Sequence, residues 1–417
     1  MNLHERTRAV LPSWLALYYD DPIELDHGSG RHVWDADGNR YLDFFGGILT
    51  TMTEHALPAV TEAVAAQAAK IIHSSTLYLN RPMVELCEEI AAVSGIPDAK
   101  VFLTTSGTEA NDAALLLASV RNRSNQVLAL RNSYHGRSFS TIGITGNSAW
   151  SPTSLSPFQT YYVHGGQRLH SPFAHLSDAD FIAACVADLE DVLDQTGGSI
   201  AALIAEPIQG VGGFTSGPDG LLGAFAEVLR ARDILWISDE VQTGWGRTGE
   251  HFWGWQAHVA ERTSAAPDIV TFAKGIGNGL SMGGVIAPAS IMDDLPANSI
   301  STFGGSPITS AGALANLRHL REHDLQGNAA KVGPILLDGL KALDLPHVLD
   351  VRGKGLMIGV ELDTAARAVA VLQSCKDRGL LVGKGGLRGD VLRIAPPLSL
   401  TADEAHEGLA ILVEALR

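Results

Sequence analysis

Four short apolar runs in the middle of the chain each end in a polar residue, and amphipathic or alanine-rich stretches of helical length lie between them. The runs, each given with the polar residue that follows it, are 100–105 with Ser106, 200–205 with Glu206, 234–238 with Asp239, and 268–273 with Lys274. Strands that alternate with helices predict a parallel sheet buried on both faces. Because ligands bind outside the carboxyl ends of such strands, we expect the four polar residues to converge on one site.

Other regions depart from this pattern. Asp37-Gly38 is typical of a hairpin turn between two short strands, and the C-terminal part alternates helices with short strands. We interpret the two ends as a smaller α+β unit. Segment 147–177 is rich in Ser, Pro, Gly and His, and is predicted as a long loop. The predicted division is an N-terminal segment 1–45 that joins the small domain, a large domain 46–297 and a C-terminal small domain 298–417.

The composition limits the classes of function. The chain has 417 residues, of which 46% are hydrophobic and 18% are charged. This length and hydrophobic content allow one large domain with a substantial core and a second, smaller domain. A net charge of −16 would repel a phosphate backbone, so nucleic-acid binding is not expected. The 15 histidines have no paired-ligand spacing, so no catalytic metal is expected. The three cysteines are scattered, the N-terminus lacks the apolar core of a signal peptide, and no apolar segment has membrane-spanning length. These features predict a soluble cytoplasmic protein.

The residues after the first apolar run have the form of a capping box. Ser106-Gly107-Thr108-Glu109 matches S-x-x-E and lies between a predicted strand and an apolar helix. A helix start offers free N–H groups and the positive end of the helix dipole, which together bind phosphate. Taken alone, the motif more often marks a well-capped helix than a phosphate site.

Asp239 and Lys274, each at the end of a predicted buried strand, allow two interpretations. A carboxylate at the end of a buried strand is costly unless a cation meets it, so one interpretation is a salt bridge between the two residues. The other interpretation is that each contacts a different atom of one cofactor. Pyridoxal phosphate (PLP) has an aldehyde that condenses with a lysine, a ring nitrogen that needs a carboxylate, and a phosphate that suits a helix start. The chain offers all three at strand ends, with Lys274 as the Schiff-base lysine.

Seven motifs resemble, in order, those of the class III (ornithine/GABA-type) aminotransferases of PLP fold type I, over almost the whole chain. They are SGTEAN, SYHGRS, AEPIQG, DEVQTGWGRTG, TFAKGIGNG, STFGG and LRIAPPL. Finer features such as VRGKGLMIG and GLLVGKG most resemble the alanine–glyoxylate aminotransferase 2 branch. The resemblance implies an α/β fold: a large PLP-binding domain with a mainly parallel sheet flanked by helices, plus a smaller α+β domain built from the C-terminus and the N-terminal segment.

The resemblance also implies catalytic roles. Lys274 would bind the cofactor covalently and move the proton between the substrate Cα and the cofactor carbon. Asp239 would keep the pyridine nitrogen protonated. Tyr134 and Val241 would pack on the two faces of the ring, which an aromatic face can do without restraining the reacting bonds. An ordinary core position remains the alternative for Tyr134.

Further positions are implied to bind the cofactor or the substrate. Arg393 would bind the substrate carboxylate, because its planar guanidinium matches a carboxylate bidentately; a surface arginine on a strand is the alternative. The cofactor-binding positions, with their implied roles, are Ser106, Gly107 and Thr108 around the phosphate, Gln242 near the ring hydroxyl, Glu206 and His135 as supporting hydrogen-bonding residues, and Thr302 at the phosphate of a neighbouring subunit. A homodimer with a shared site, or a tetramer, is therefore expected.

One departure from the family pattern bears on the substrate. Members that act on ornithine or GABA usually carry Glu after the EP-x-QG motif, where it pairs with the arginine; this chain has Val211. An unpaired Arg393 favours small donors such as alanine, β-alanine or β-aminoisobutyrate, and small acceptors such as glyoxylate or pyruvate. Ser306 and the segment around His55 also differ from the usual family residues, which leaves fine specificity open there.

The predicted function is a transaminase that works by a ping-pong mechanism on small amino and 2-oxo acids. Alternatives are a transaminase that uses ω-amino acids or 2-oxoglutarate, and a PLP-dependent phospho-lyase that acts on a phosphorylated amino-alcohol. A PLP-sensing regulator is a further alternative. Such a regulator would carry an added DNA-binding segment, which is not visible in this acidic sequence.

Overall fold

The structure, a computed structural model, describes residues 2–152, 155–259 and 266–417. Within these residues the largest sheet has seven strands. In spatial order they are β4 (Ala99–Thr104), β10 (Gly283–Pro288), β9 (Ile269–Ala273), β8 (Leu235–Asp239), β7 (Ala202–Ala205), β5 (Gln126–Leu130) and β6 (Gln159–Val163).

The strand directions agree with the expectation from the sequence. Strands β5 to β9 pair in parallel where they are neighbours, and β10 runs antiparallel to both β4 and β9. Strand β4 therefore points the same way as β9. The four predicted apolar runs correspond to β4, β7, β8 and β9, and all four end at the same edge of the sheet.

Alternate residues of the strands face two separate layers of helices. In β7, Leu203 joins the core cluster that includes α7 (Asp178–Gln195) and α8 (Leu221–Arg230). Its neighbour Ile204 joins the opposite cluster, together with α5 (Gly107–Asn122). All residues of β7, β8 and β9 are buried, which explains why they are continuous apolar runs in the sequence.

Two smaller sheets are built from the ends of the chain. One contains β1 (Leu25–Ser29), β2 (His32–Asp35), β3 (Arg40–Asp43) and β13 (Leu380–Leu381); the other contains β11 (Val348–Lys354), β12 (Met357–Leu362), β15 (Val391–Ile394) and β14 (Gly383–Gly385). The predicted hairpin at Asp37-Gly38 is confirmed, since β2 and β3 pair antiparallel and Gly38 has a φ of 85°. Strand β13 pairs in parallel with β3 and links the two ends. The bounds predicted for the domains, 1–45, 46–297 and 298–417, stay a prediction.

The remaining helices connect or cover these sheets. They are α1 (Leu3–Val10), α2 (Gly46–Leu49), α3 (Pro58–Ala68), α4 (Arg81–Val93), α6 (Phe139–Gly143), α9 (Gln256–Val259), α10 (Ala289–Met292), α11 (Pro307–Glu322), α12 (Leu325–Lys341), α13 (Ala365–Asp377), α14 (Ala402–Leu416) and a 3-10 helix, Lys274–Gly277. In the described part of the chain, none of the helices has both the length and the apolar character that crossing a bilayer requires.

One prediction about the connections is wrong in part. Segment 147–177 was expected to be a long loop, yet it contains β6 at the edge of the large sheet. Most residues of this strand are only half-buried, so its sequence, QTYYV, lacks the apolar run that marks the inner strands. Thr153 and Ser154 of the same segment lie outside the described residues.

Candidate active site

A pocket of about 330 Å³ opens at the carboxyl ends of the parallel strands. This volume is within the usual range for a small-molecule site. Its lining includes these predicted site residues: Ser106, Gly107, Thr108, Tyr134, His135, Glu206, Asp239, Val241, Gln242 and Lys274. The two remaining predictions, Arg393 and Thr302, do not line it.

Lys274 follows β9 and begins the 3-10 helix. Its backbone is left-handed, with a φ of 48°, a conformation that side chains other than glycine rarely adopt. Burial lowers the pKa of its ammonium group, and Arg393 acts in the same direction, while Asp239 and Glu206 oppose the shift. A lowered pKa increases the fraction of neutral amine, which is the form that attacks an aldehyde.

Asp239, the last residue of β8, has hydrogen-bond donors on both carboxylate oxygens. Oδ2 accepts from Asn111 Nδ2 at 2.8 Å and lies 2.8 Å from His135 Nδ1, and Oδ1 accepts from the Val241 N–H at 3.2 Å. A carboxylate oxygen only accepts, so we assign a proton to His135 Nδ1. The His135 Nε2 atom is buried and has no partner in the described residues. His135 is therefore arranged as a hydrogen-bonding support for Asp239.

Asn111 and Thr271 were missed in the sequence. Asn111 Nδ2 also donates to the His135 carbonyl at 2.8 Å, and Thr271 Oγ1 donates to Asn111 Oδ1 at 2.6 Å. These bonds fix the orientation of the amide that contacts Asp239. The available signal was a polar residue at a position expected to be apolar: Thr271 interrupts the run 268–273, and both residues are buried.

The start of α5 supplies backbone donors to the pocket, because Gly107 and Thr108 line it and their N–H groups have no partner among the described residues. Ser106 caps the helix through a bond from the Glu109 N–H to its Oγ at 3.2 Å. The predicted capping box is only half formed, because the Glu109 carboxylate accepts from the Thr105 N–H and hydroxyl instead of from Ser106. A Cβ at Gly107 would lie 2.9 Å from Val241 Cγ2, so any larger residue here would displace the Val241 side chain.

Glu206 follows β7 and holds two loops together. Its two oxygens accept from the Tyr134 N–H at 2.9 Å and the Gly210 N–H at 2.8 Å. Burial raises its pKa to about 7, and the charge of Asp239 acts in the same direction. The Tyr134 ring, which lines the pocket, meets Trp150 edge-on with ring centroids 5.5 Å apart.

Arg393, on β15, is 3% exposed and lies outside this lining. Nε donates to the Lys384 carbonyl at 3.1 Å, Nη1 donates to the Gly210 carbonyl at 3.2 Å, and the guanidinium lies over the rings of Phe45 and Phe214. Burial lowers its pKa. No carboxylate forms an ion pair with Arg393 among the residues that the structure describes.

The side chains of two further residues, Arg137 and Thr302, form no hydrogen bond or ion pair with the described residues. Arg137 is exposed on the pocket wall, and the described part of the chain provides no ion pair for it; its position within the motif SYHGRS was the only signal. Thr302 is exposed, next to an exposed Phe303.

The comparisons with known proteins agree with this geometry. A family model described as aminotransferase class-III matches residues 18–416. A mitochondrial alanine–glyoxylate aminotransferase 2 homolog from Arabidopsis thaliana is 38% identical, in an alignment that covers 99% of this chain and 86% of that protein. The chain belongs to the class III aminotransferases.

Solved structures extend the match to the whole fold. This class III aminotransferase is similar to a phospholyase from Arthrobacter in complex with phosphoethanolamine, with a TM-score of 0.89, 31% identity and coverage of 100% of this chain and 99% of the other. It is also similar to an amine transaminase from an uncultivated Pseudomonas species in its PLP-bound form, with a TM-score of 0.90, 29% identity and coverage of 98% and 97%. The protein is thus an enzyme of PLP fold type I with transaminase activity, and its cofactor is pyridoxal phosphate.

The residues of this class III aminotransferase fit that cofactor. Gln242 Oε1 is buried without a donor in the described residues, an arrangement that costs free energy unless a ligand supplies a hydroxyl. The start of α5 has N–H groups suited to a phosphate. The carboxylate of Asp239 and the amine of Lys274 line the same pocket.

Proposed function

We propose that the enzyme moves an amino group from a small amino acid, such as alanine, β-alanine or β-aminoisobutyrate, to glyoxylate or pyruvate in a ping-pong mechanism. The observation that carries the proposal is Arg393, a buried guanidinium without a carboxylate partner in the described residues. Buried charges are normally paired, so an unpaired one indicates that a ligand supplies the opposite charge. A substrate carboxylate matches the guanidinium in shape and charge.

Val211 supports the choice of small substrates. It follows Gly210, whose carbonyl accepts from Arg393 Nη1 at 3.2 Å, and it occupies the position where the ornithine/GABA-type pattern has Glu. Valine cannot neutralise Arg393, so the guanidinium stays charged in both half-reactions. A substrate with one carboxylate and a short side chain needs only the charged Arg393, and it needs no residue at position 211 that neutralises the guanidinium.

The residues around the pocket would divide the chemistry between them. Pyridoxal phosphate, when bound, supplies an aldehyde that combines with amines and a ring that accepts electrons from the substrate Cα. Lys274 would hold and return the Cα proton at Nζ, which its lowered pKa favours. Asp239 would stabilise a positive charge at the ring nitrogen, and the N–H groups of Gly107 and Thr108 would bind the phosphate.

The subunit association and the location are also proposals. Ile72, Leu77, Tyr78 and Leu79 are exposed in one segment, and His73 of that segment contacts the ring of the exposed Phe303, with ring centroids 5.2 Å apart. We call these residues the apolar patch; it supports association of two copies, because exposed apolar patches mark interaction sites. Thr302 borders the patch, in keeping with its implied contact to the neighbouring subunit. The free cysteines Cys87, Cys185 and Cys375 suit a reducing, cytoplasmic location.

The test is a half-reaction. When L-alanine alone is added to the holoenzyme, we expect the cofactor absorbance to change to that of the amine form, with release of one pyruvate for each active site. Glyoxylate added afterwards should restore the original spectrum and yield glycine. A panel with β-alanine, β-aminoisobutyrate, ω-amino acids and 2-oxoglutarate ranks the substrates. If none of the small amino donors produces the spectral change, the proposal is wrong.

A phospho-lyase is the second candidate. The specific observations are the similarity to the Arthrobacter phospholyase and Arg137, an exposed cation on the pocket wall that suits a substrate phosphate. Incubation with phosphoethanolamine discriminates between the two functions. Release of inorganic phosphate, without amino transfer from alanine, would favour the lyase.

A further inference from the structure

The turn that carries Lys274 is held by a side chain from another helix. Asn316 lies on α11, is fully buried, and does not line the pocket. Its Nδ2 donates to the carbonyl oxygens of Gly275 at 2.9 Å and Ile276 at 3.0 Å, the two residues that follow Lys274. Asn316 therefore binds the backbone immediately after the left-handed Lys274.

Thr53 fixes the direction of the Asn316 amide. Carbonyl oxygens only accept, so the two bonds place the NH₂ group toward the turn and leave Oδ1 facing Thr53, whose hydroxyl donates to it. Thr53 is fully buried, and its other polar atoms are also paired: its N–H donates to Asn278 Oδ1 at 2.9 Å, and its carbonyl accepts from Ser399 Oγ at 2.7 Å.

Packing restricts the same turn. A Cβ at Gly275 would lie 2.4 Å from the Met52 sulfur, so the residue before Thr53 presses directly against the turn. A non-glycine residue keeps a left-handed backbone only where its surroundings over-determine it. Here those surroundings are the hydrogen bonds of Asn316 and Thr53 and the contact with Met52.

We propose that Asn316 and Thr53 are positioning residues, which hold the Lys274 backbone in the conformation from which Nζ reaches the cofactor aldehyde. The inference rests on the proposed role of Lys274 as the lysine that reacts with the cofactor. When Asn316 loses its donor group, the carbonyls of Gly275 and Ile276 lose their partner and the turn relaxes. A reacting group displaced by about 1 Å loses on the order of 100-fold in reactivity.

The experiment compares two ligands on the full-length protein: pyridoxal phosphate, and pyridoxamine phosphate, which has no aldehyde. In Asn316→Asp the affinity for pyridoxal phosphate should fall by at least about tenfold, whereas the affinity for pyridoxamine phosphate should change by less than about twofold. Thr53→Val should act in the same direction, and Thr53→Ser, which keeps the hydroxyl, should behave as the wild type.

The matched control is Ser310→Ala. Ser310 is on the same helix and equally buried, but its Oγ has no partner within the described residues, so neither affinity should change. Equal losses for both ligands in Asn316→Asp, or no loss for either, would overturn the proposal. Borohydride trapping on the wild type separates the two levels of failure. If no cofactor is trapped at Lys274, the proposed function itself fails; if it is trapped and the variants bind both ligands normally, only this inference fails.

Discussion

Asp239 and Arg393 are both buried charged residues, at 4% and 3% exposure, yet their surroundings differ. Asp239 receives donors from Asn111, His135 and the Val241 backbone. Within the described residues, Arg393 has two carbonyl oxygens, the Tyr18 hydroxyl and the faces of two aromatic rings as partners, and none of these carries a full negative charge. The strand-end side of the site, which contains Glu206, Asp239 and Lys274, thus supplies hydrogen-bond donors for the Asp239 carboxylate from within the protein. The arginine side, which contains Arg393 and lies outside the pocket lining, has no carboxylate partner for the guanidinium among the described residues. Under the proposed function, the surroundings of Asp239 serve the cofactor and Arg393 selects the substrate.

The largest effect should follow from Lys274→Ala, which removes from the strand-end side the amine that is proposed to react with the cofactor. Turnover should fall by on the order of 10⁴-fold or more, and borohydride should trap no cofactor on the protein. Absorbance spectra and steady-state rates measure both. The control is Lys341→Ala, at an exposed position of α12, which should keep wild-type turnover. Substantial turnover without Lys274 would contradict the proposal that the strand-end side carries the reaction with the cofactor.

An intermediate effect should follow from Val211→Glu, which gives Arg393 the partner it lacks. A charge-assisted bond is worth about 1.5–3 kcal/mol, so KM for alanine and glyoxylate should rise about 10- to 100-fold, with a smaller change in kcat. Initial rates over a range of substrate concentrations separate the two constants. The control is Val211→Gln, because glutamine has nearly the same size as glutamate but carries no charge. If both variants give the same KM, the charge of Arg393 does not select the substrate.

The smallest effect concerns Glu206, whose pKa burial raises from 4.5 to about 7. Because the folded protein holds the Glu206 proton more tightly than the unfolded chain does, the neutral carboxyl contributes its full stability below the ordinary pKa of 4.5. This contribution to stability is lost as the pH rises through about 7. The stability of the wild type relative to Glu206→Gln should therefore fall, by at most about 3 kcal/mol, between about pH 5 and about pH 8.

Thermal unfolding midpoints of both proteins across this range test the prediction for Glu206. Glu62→Gln, at an exposed position of α3, is the control. A wild type that becomes more stable relative to Glu206→Gln as the pH rises would show that the sign of the shift is wrong.

The strand-end side could be predicted from the sequence because its strands are buried on both faces. Continuous apolar runs located β7, β8 and β9, and the polar residues after them located Glu206, Asp239 and Lys274. Strand β10 was missed because it begins with two glycines and lies between β4 and β9 without a run of the same kind. Such runs mark a residue's place in the sheet and carry no information about its partner in another part of the chain.

The supporting contacts could not be predicted for that reason. Thr53 and Asn316 are 263 residues apart, and each looks ordinary in its own segment. Asn111 likewise reads as one polar residue in the first turns of a helix, although it contacts both His135 and Asp239. Only the folded arrangement brings these partners together.

The pairing of β3 with β13 has a consequence for anyone who shortens this chain. The Leu42 N–H donates to the Gly379 carbonyl at 2.8 Å, and the Phe44 N–H donates to the Leu381 carbonyl at 2.8 Å. Deleting the first 45 residues would strip β13 of its neighbour and leave an open strand edge, a surface on which chains aggregate. Strand β3 thus covers one edge of β13, a strand from the C-terminal part of the chain. A shortened protein should therefore be tested for solubility before its activity is measured.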